Sequence, residues 1–143
     1  MFLLFTSSGE GSCSDNTSSA CAYTTYCAYH GFFVVGTTSV IYSTQPFGNL
    51  NTCQAPLTPS PNNDALADAA ASIASHEMAE AVTDPVLDGW YTTAGSEIGD
   101  LCAYNYGSNT WAGNKANQWW NGRAYELQEE FDNHTLACVQ LGP

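Results

Sequence analysis

The sequence of 143 residues predicts an α+β fold: one long helix carrying ionisable side chains, packed on a small sheet in a loop-rich, disulfide-bonded chain. Three observations carry that expectation. One alanine-rich segment has helix punctuation at both ends, and the strand-like runs around it are short. Six cysteines (13, 21, 27, 53, 102 and 138) are scattered through stretches rich in Ser, Thr and Gly, with no CxxC pair. An even, scattered set in a small chain suits a disulfide framework in an oxidising compartment better than a zinc ribbon, and six cysteines allow fifteen pairings.

In chain order, "FLLFT" predicts a short buried strand, and the cysteine-containing stretch after it a cross-linked loop. "GFFVVGTTSVIYST" combines β-branched and aromatic residues with Gly and Thr, the pattern of one strand or a hairpin. The proline-rich "QPFGNLNTCQAPLTPSPNN" predicts a connection. The helix follows, capped by Asn62 or Asn63, with Asp64 in its first turn and Asp84-Pro85 as its stop. The remainder predicts turns and short strands. "RAYELQEEF" is its most strand-like run, with Ala124, Glu126, Gln128 and Glu130 on one face. No internal repeat or domain boundary is visible, so residues 1–143 are expected to form a single domain.

Fourteen acids stand against two bases, Lys115 and Arg123, giving a net charge of −12. That charge repels nucleic acid and anionic membranes and excludes both as partners. No stretch approaches the roughly 20 apolar residues of a membrane helix. The apolar N-terminal run is too short for a signal-peptide core and lacks a basic flank, so a processed or truncated secreted form is expected. The sequons at Asn16 and Asn133 agree with secretion and glycosylation.

Chemistry concentrates in the helix. Leu66, Ala69, Ala70 and Ile73 form one stripe, and the same spacing continues through His76, Glu77 and Glu80. Met78 and Val82 lie on another side, which predicts cover on more than one face. Burying two carboxylates and an imidazole without partners costs several kcal/mol, so something must compensate them. A metal ion does so economically: His76 and Glu80 are four apart and converge over one turn, and zinc accepts nitrogen and carboxylate oxygen. Glu77 stands where the HExxH motif places its general base. Here the second histidine is a glutamate, giving HExxE, which weakens Lewis acidity and widens the choice of metal from zinc toward manganese or calcium. Glu97 and Asp100, in "GSEIGDLC", are expected to supply the third ligand and a carboxylate behind it, in unspecified order.

The competing expectation is a metal-free pair of His76 and Glu80 with Arg123 or a backbone carbonyl. His30 is able to face the same site, although a histidine beside a disulfide is more often structural; His134 is expected to be exposed. Asp84 and Asp88 are expected to end the helix and shape the next turn. Trp90, Tyr91, Trp111, Trp119 and Trp120 would suit a sugar platform, with core or rim packing the commoner use.

"ASHEMAEAVTDP", "GWY", "EIGDLCAYNYG", "NGRAYELQ" and the terminal "ACV", preceded by "FLLFTSS" and "CAYTTYCAYHG", resemble in content and order the phosphate-induced protein 1 (EXORDIUM-like) family. The resemblance spans most of the chain. It implies an extracellular, disulfide-bonded α+β domain that starts short of the family's usual N-terminus, so self-association or a partner completing the sheet is expected. It also implies a Cys21–Cys27 bridge and a Cys102–Cys138 bridge, with Cys13 and Cys53 as the third pair. Plant members are linked to growth and the cell wall without an established chemistry. The intact HExxE set favours a zincin-like fold and metal site. The leading expectation is therefore a secreted metal-dependent hydrolase, peptidase-like, acting on a peptide or cell-wall substrate, with His76, Glu80 and Glu97 or Asp100 holding zinc and Glu77 as base. His30 or Tyr104 would steady the oxyanion. Its rivals are a non-catalytic extracellular or cell-wall protein with a structural metal or polar cluster, and a carbohydrate-binding module.

Overall fold

The computed structural model describes residues 1–48, 53, 60–108 and 116–141. Most of the proline-rich connection, Lys115 and Trp111 therefore lie outside the described residues. The fold is α+β, with one helix, small sheets and three disulfides.

The first sheet has the order β1-β3-β2, from β1 (Phe2–Phe5), β2 (Tyr29–Val35) and β3 (Thr38–Gln45). The run of β-branched and aromatic residues folds as a hairpin, with Val35 opposite Thr38. Gly36 has φ +63° at the first position of its two-residue turn, where a positive φ is required. β1 pairs with β3 in parallel at the outer edge. It is a strand as expected, but it is not buried: Phe2, Leu3, Leu4 and Phe5 are 65, 37, 51 and 59 % exposed. The helix packs against β2 and β3, and β1 stands beyond that contact.

The helix α1 (Ala65–Thr83) is 19 residues long. Asp64, not Asn62 or Asn63, is its N-cap, accepting the Ala67 N–H at 3.1 Å. Asn63 instead has φ +57°, and the Asn62 side chain donates to Asp68 and to the Ala124 carbonyl. Asp84 ends the helix as expected, its N–H bonding the Glu80 carbonyl. The buried stripe differs from the expected one. It consists of Asp68, Ala69, Ser72, Ala74, Glu77, Glu80 and Ala81. Met78 and Val82 are 50 and 81 % exposed, so the helix has one covered face. The alanine-rich sequence keeps that face narrow, which lets polar rows sit closest to the sheet.

The bridges are Cys13–Cys21, Cys27–Cys53 and Cys102–Cys138. The Cys102–Cys138 expectation holds; Cys21–Cys27 and Cys13–Cys53 do not. Cys13 and Cys21 face each other as an antiparallel bridge pair, which leaves Cys27 to reach Cys53.

Downstream lie the short 3₁₀ helix η1 (Asp100–Cys102) and two hairpins. β4 (Gln118–Trp120) pairs with β5 (Arg123–Tyr125), and β6 (Glu130–Asp132) with β7 (Ala137–Val139). "RAYELQEEF" is thus two strands rather than one. Between them the Asn117 side chain accepts the Leu127 N–H and donates to the Leu127 carbonyl, replacing ladder bonds. The Phe131 N–H donates to the Ile98 carbonyl and pins the segment before η1 to β6.

Candidate metal centre

Helical spacing, a strand start and one loop bring the ionisable groups together. α1 presents His76, Glu77 and Glu80 on its covered face. β2 begins at the helix C-terminus, where His30 Nε2 lies 3.1 Å from the Asp84 carbonyl. Asp84 is fully buried, and its carboxylate also accepts the Gly89 N–H, so the residue that stops the helix turns the chain and seats His30. The segment Glu97–Asp100 closes over the helix. Its Asp100 N–H donates to Glu80 Oε1 at 3.0 Å, and its Glu97 N–H donates to Asp100 Oδ2 at 3.1 Å. Gly99 is needed for that approach, because a Cβ there would meet His76 Nδ1 at 2.7 Å and Glu80 Oε1 at 2.9 Å. The Cys102–Cys138 bridge anchors η1 immediately behind it.

The result is two donor sets that share Glu80. His76, Glu80 and Asp100 form one, with His76 Nε2 3.1 Å from Glu80 Oε1 and 3.8 Å from Asp100 Oδ1. His30, Glu80 and Glu97 form the other. His30 Nδ1 lies 3.6 Å from Glu77 Oε2 and 3.8 Å from Glu80 Oε2, and His30 Nε2 lies 3.6 Å from Glu97 Oε1. All five sequence-predicted site residues therefore meet, but Glu97 and Asp100 belong to different sets rather than to one ligand shell.

The cluster lines a cavity of about 350 Å³, whose walls include Tyr26, Tyr29 and Tyr104. That is within the range of small-ligand sites. Arg123 is exposed on β5, and the cluster's ion pairs do not include it.

Crowded carboxylates and burial shift the titrating groups. Glu77 first, then Glu80, holds His30 in its charged form and raises it to about 10. Burial opposes charge on His76, but Glu80 outweighs it and raises that imidazole to about 9. Burial likewise opposes charge on Glu80, and the two histidines overcome it, lowering Glu80 to about 2. Burial raises Glu77, and burial reinforced by neighbouring acids raises Glu97 to about 7. Glu130, on β6, is also raised to about 7 by burial.

Sequence reasoning underrated His30 and placed Glu130 only in a strand pattern. The available signal for His30 was a His-Gly pair at a strand start; for Glu130 there was none beyond acidity. His134 is exposed as expected. Trp119 and Trp120 are exposed neighbours on β4, so their side chains point to opposite faces and do not share one platform.

The fold and site define a disulfide-bonded α+β protein with a helix-borne histidine–carboxylate cluster in an open cavity. The family model described as the phosphate-induced protein 1 conserved region matches residues 10–141, and the chain belongs to that family. It is 44 % identical over 52 residues to Protein EXORDIUM-like 5 of Arabidopsis thaliana, and 42 % identical over 53 residues to Protein EXORDIUM-like 3 of the same plant. Each match covers 34 % of this chain, and they cover 14 and 16 % of the relatives' own length. No solved structure matches significantly, so the zincin-like fold has no structural neighbour behind it.

Proposed function

We propose that this chain holds a divalent cation, zinc before manganese or calcium, at His76, Glu80 and Asp100, and is the core of a secreted metal-dependent hydrolase. The observation that carries the proposal is the convergence of three donors beneath an open cavity, in a cluster with a surplus of carboxylates. Donors around a tetrahedral zinc stand about 3.4 Å apart, given bonds of about 2.1 Å. The separations of 3.1 and 3.8 Å from His76 Nε2 fall on either side of that value. Glu77 Oε2 and Glu97 Oε1 are buried without hydrogen-bond partners among the described residues, leaving acceptor capacity in the cluster that a cation would take up.

Bound zinc would supply Lewis acidity and ease the ionisation of a water. Glu77 would take the proton. It is buried, adjoins the donor set without belonging to it, and burial raises its basicity. Tyr104, on the cavity wall, would present a phenol to a developing oxyanion. A peptide amide is the simplest substrate, with a cell-wall ester or amide next. Three disulfides and exposed Asn16 and Asn133 support an extracellular setting.

The test is metal content by mass spectrometry on protein purified without chelator, with His76→Ala and Glu77→Gln alongside. One or more equivalents of cation, reduced in His76→Ala, support the site. Turnover of peptides lost in Glu77→Gln with cation retained supports the hydrolase. Absence of cation sinks the proposal. A second reading is favoured by the Asp100 N–H bond to Glu80, which ties η1 to α1: a cation here would staple the fold of a non-catalytic extracellular protein. Under that reading Glu77→Gln alters stability, and there is no turnover to lose.

A further inference from the structure

Glu80 turns its two oxygens to different histidines. Oε1 lies 3.1 Å from His76 Nε2, and Oε2 lies 3.8 Å from His30 Nδ1. We infer that the protein carries a second divalent-cation site at His30, Glu80 and Glu97, bridged to the first through the Glu80 carboxylate. The inference rests on the cation proposal above and adds a second ion to it.

Three observations support it. One donor atom from each of His30, Glu80 and Glu97 lies within 4.8 Å of the other two. His30 is oriented as metal-binding histidines are. Its Nε2 donates to the Asp84 carbonyl at 3.1 Å and lies 3.6 Å from Glu97 Oε1, while Nδ1, 3.8 Å from Glu80 Oε2, is the nitrogen that ligates once deprotonated, with Glu97 reaching round the ring edge. The third observation concerns a buried carboxylate outside both donor sets. Glu77 Oε2 belongs to a side chain only 6 % exposed and has no hydrogen-bond partner. It is aimed at His30 Nδ1 from 3.6 Å, beyond hydrogen-bond reach. A cation ligated by neutral His30 would take the place of the imidazolium as the counter-charge to this buried oxygen.

Formal charge points the same way. Ligation requires neutral imidazoles; in that state Glu77, Glu80, Glu97, Asp100 and Glu130, when ionised, bring five negative charges, and one dication leaves three of them uncompensated. A second dication leaves one. Pairs of ions about 3.5–4 Å apart clamp both the attacking and the leaving oxygen of a hydrolysis, and a shared carboxylate is suited to holding such a pair. The substrate class that follows is an amide or ester whose carbonyl and leaving group are both held in the cavity.

The experiment titrates the chelator-stripped 143-residue chain with zinc by calorimetry and counts bound ions by mass spectrometry. Two equivalents in the parent chain, one in His30→Ala and one in Glu97→Gln, are expected. Glu97→Gln keeps the shape of a partly exposed side chain, so it reports even where loss of buried His30 impairs folding. One equivalent in the parent, unchanged in Glu97→Gln and lost in His76→Ala, overturns the second site and leaves the first standing. No binding overturns both. Manganese-loaded protein is expected to show an exchange-coupled pair by electron paramagnetic resonance; two uncoupled ions would overturn the bridge.

Discussion

On α1 and the start of β2 the buried side chains larger than alanine are His30, Asp68, Ser72, Glu77 and Glu80, whereas along β1 and the far half of β2 Phe2, Leu4, Phe5, Phe33, Val34 and Val35 are exposed. The largest side chains buried almost completely are Asp84, Cys102, Ser43 and Ser72, and the buried apolar set is mostly alanine and cysteine. Area burial at roughly 25 cal/mol per Å² therefore stabilises the helix region less than it would a leucine-rich core. Hydrogen bonds, ion pairs and disulfides carry more of the load there. The difference teaches that buried polar groups and exposed apolar ones have exchanged their usual places, and that substitution costs should follow the polar side.

The largest expected effect is at Glu80. Its carboxylate faces both histidines and accepts the Asp100 N–H, so Glu80→Ala leaves His76 Nε2 and a backbone N–H without their acceptor and takes a counter-charge from His30. Removing one partner of a buried ion pair costs about 3–5 kcal/mol. Urea unfolding is expected to show a loss of that size, with cation binding abolished. A loss below about 1 kcal/mol, in the range of a surface pair, would mean that the cluster is not what holds this side together.

Next is the Cys102–Cys138 bridge, which closes a separation of 36 residues and fixes η1 against the β6–β7 hairpin. Loop-closure entropy for that length amounts to about 3–4 kcal/mol. The double variant Cys102→Ser, Cys138→Ser is expected to melt well below the parent. It should also bind cation more weakly, because Asp100 begins the tethered helix. A fall in melting temperature with unchanged cation affinity would separate the scaffold from the site.

What the sequence disclosed follows the same division. The helix was legible because its signals are local: alanine propensity, Asp84-Pro85, and four-residue spacing that puts His76 and Glu80 on one face. Glu97 and Asp100 were legible as a nearby acidic segment. His30 was underrated because its partner is the carbonyl of Asp84, 54 residues away, and no side-chain pattern announces a backbone acceptor. The cysteine pairing failed for a similar reason, since Cys27 bonds across a connection whose path composition does not encode. "FLLFT" reads as buried from its composition, but an apolar run is buried only where another element covers it, and α1 lies over β2 and β3 instead.

A smaller effect concerns pH in the cation-free protein. Glu97 and Glu130 are raised to about 7 in the folded state, so they hold protons between about 4.5 and 7 that the unfolded chain has released. His30 and His76, raised to about 10 and 9, hold theirs above 6.5 where the unfolded chain has lost them. All four shifts have the same sign: their stabilisation is full at low pH and is lost as pH rises through the folded values. Glu80, lowered to about 2, acts oppositely, and its contribution is lost only as pH falls below about 4.5 toward 2. Chelated protein is therefore expected to be more stable at pH 5 than at pH 8. Saturating zinc should flatten or reverse the trend, because the ion competes with those protons. Melting curves across that range check it, and a cation-free chain more stable at pH 8 would contradict the burial of this cluster.

The smallest effect should lie on the apolar side. Val34 is 58 % exposed in the free half of β2, and threonine matches its shape and its preference for strands. Val34→Thr is expected to shift stability by no more than about 0.5 kcal/mol, the range of ordinary surface substitutions. In a conventional core the same change would bury an unpaired hydroxyl and cost about 1–3 kcal/mol. The pair of measurements at Glu80 and Val34 thus ranks the two regions directly. A large loss at Val34 would show that the sheet face is covered in solution, and the contrast between buried acids and exposed aromatics would then belong to the isolated chain alone.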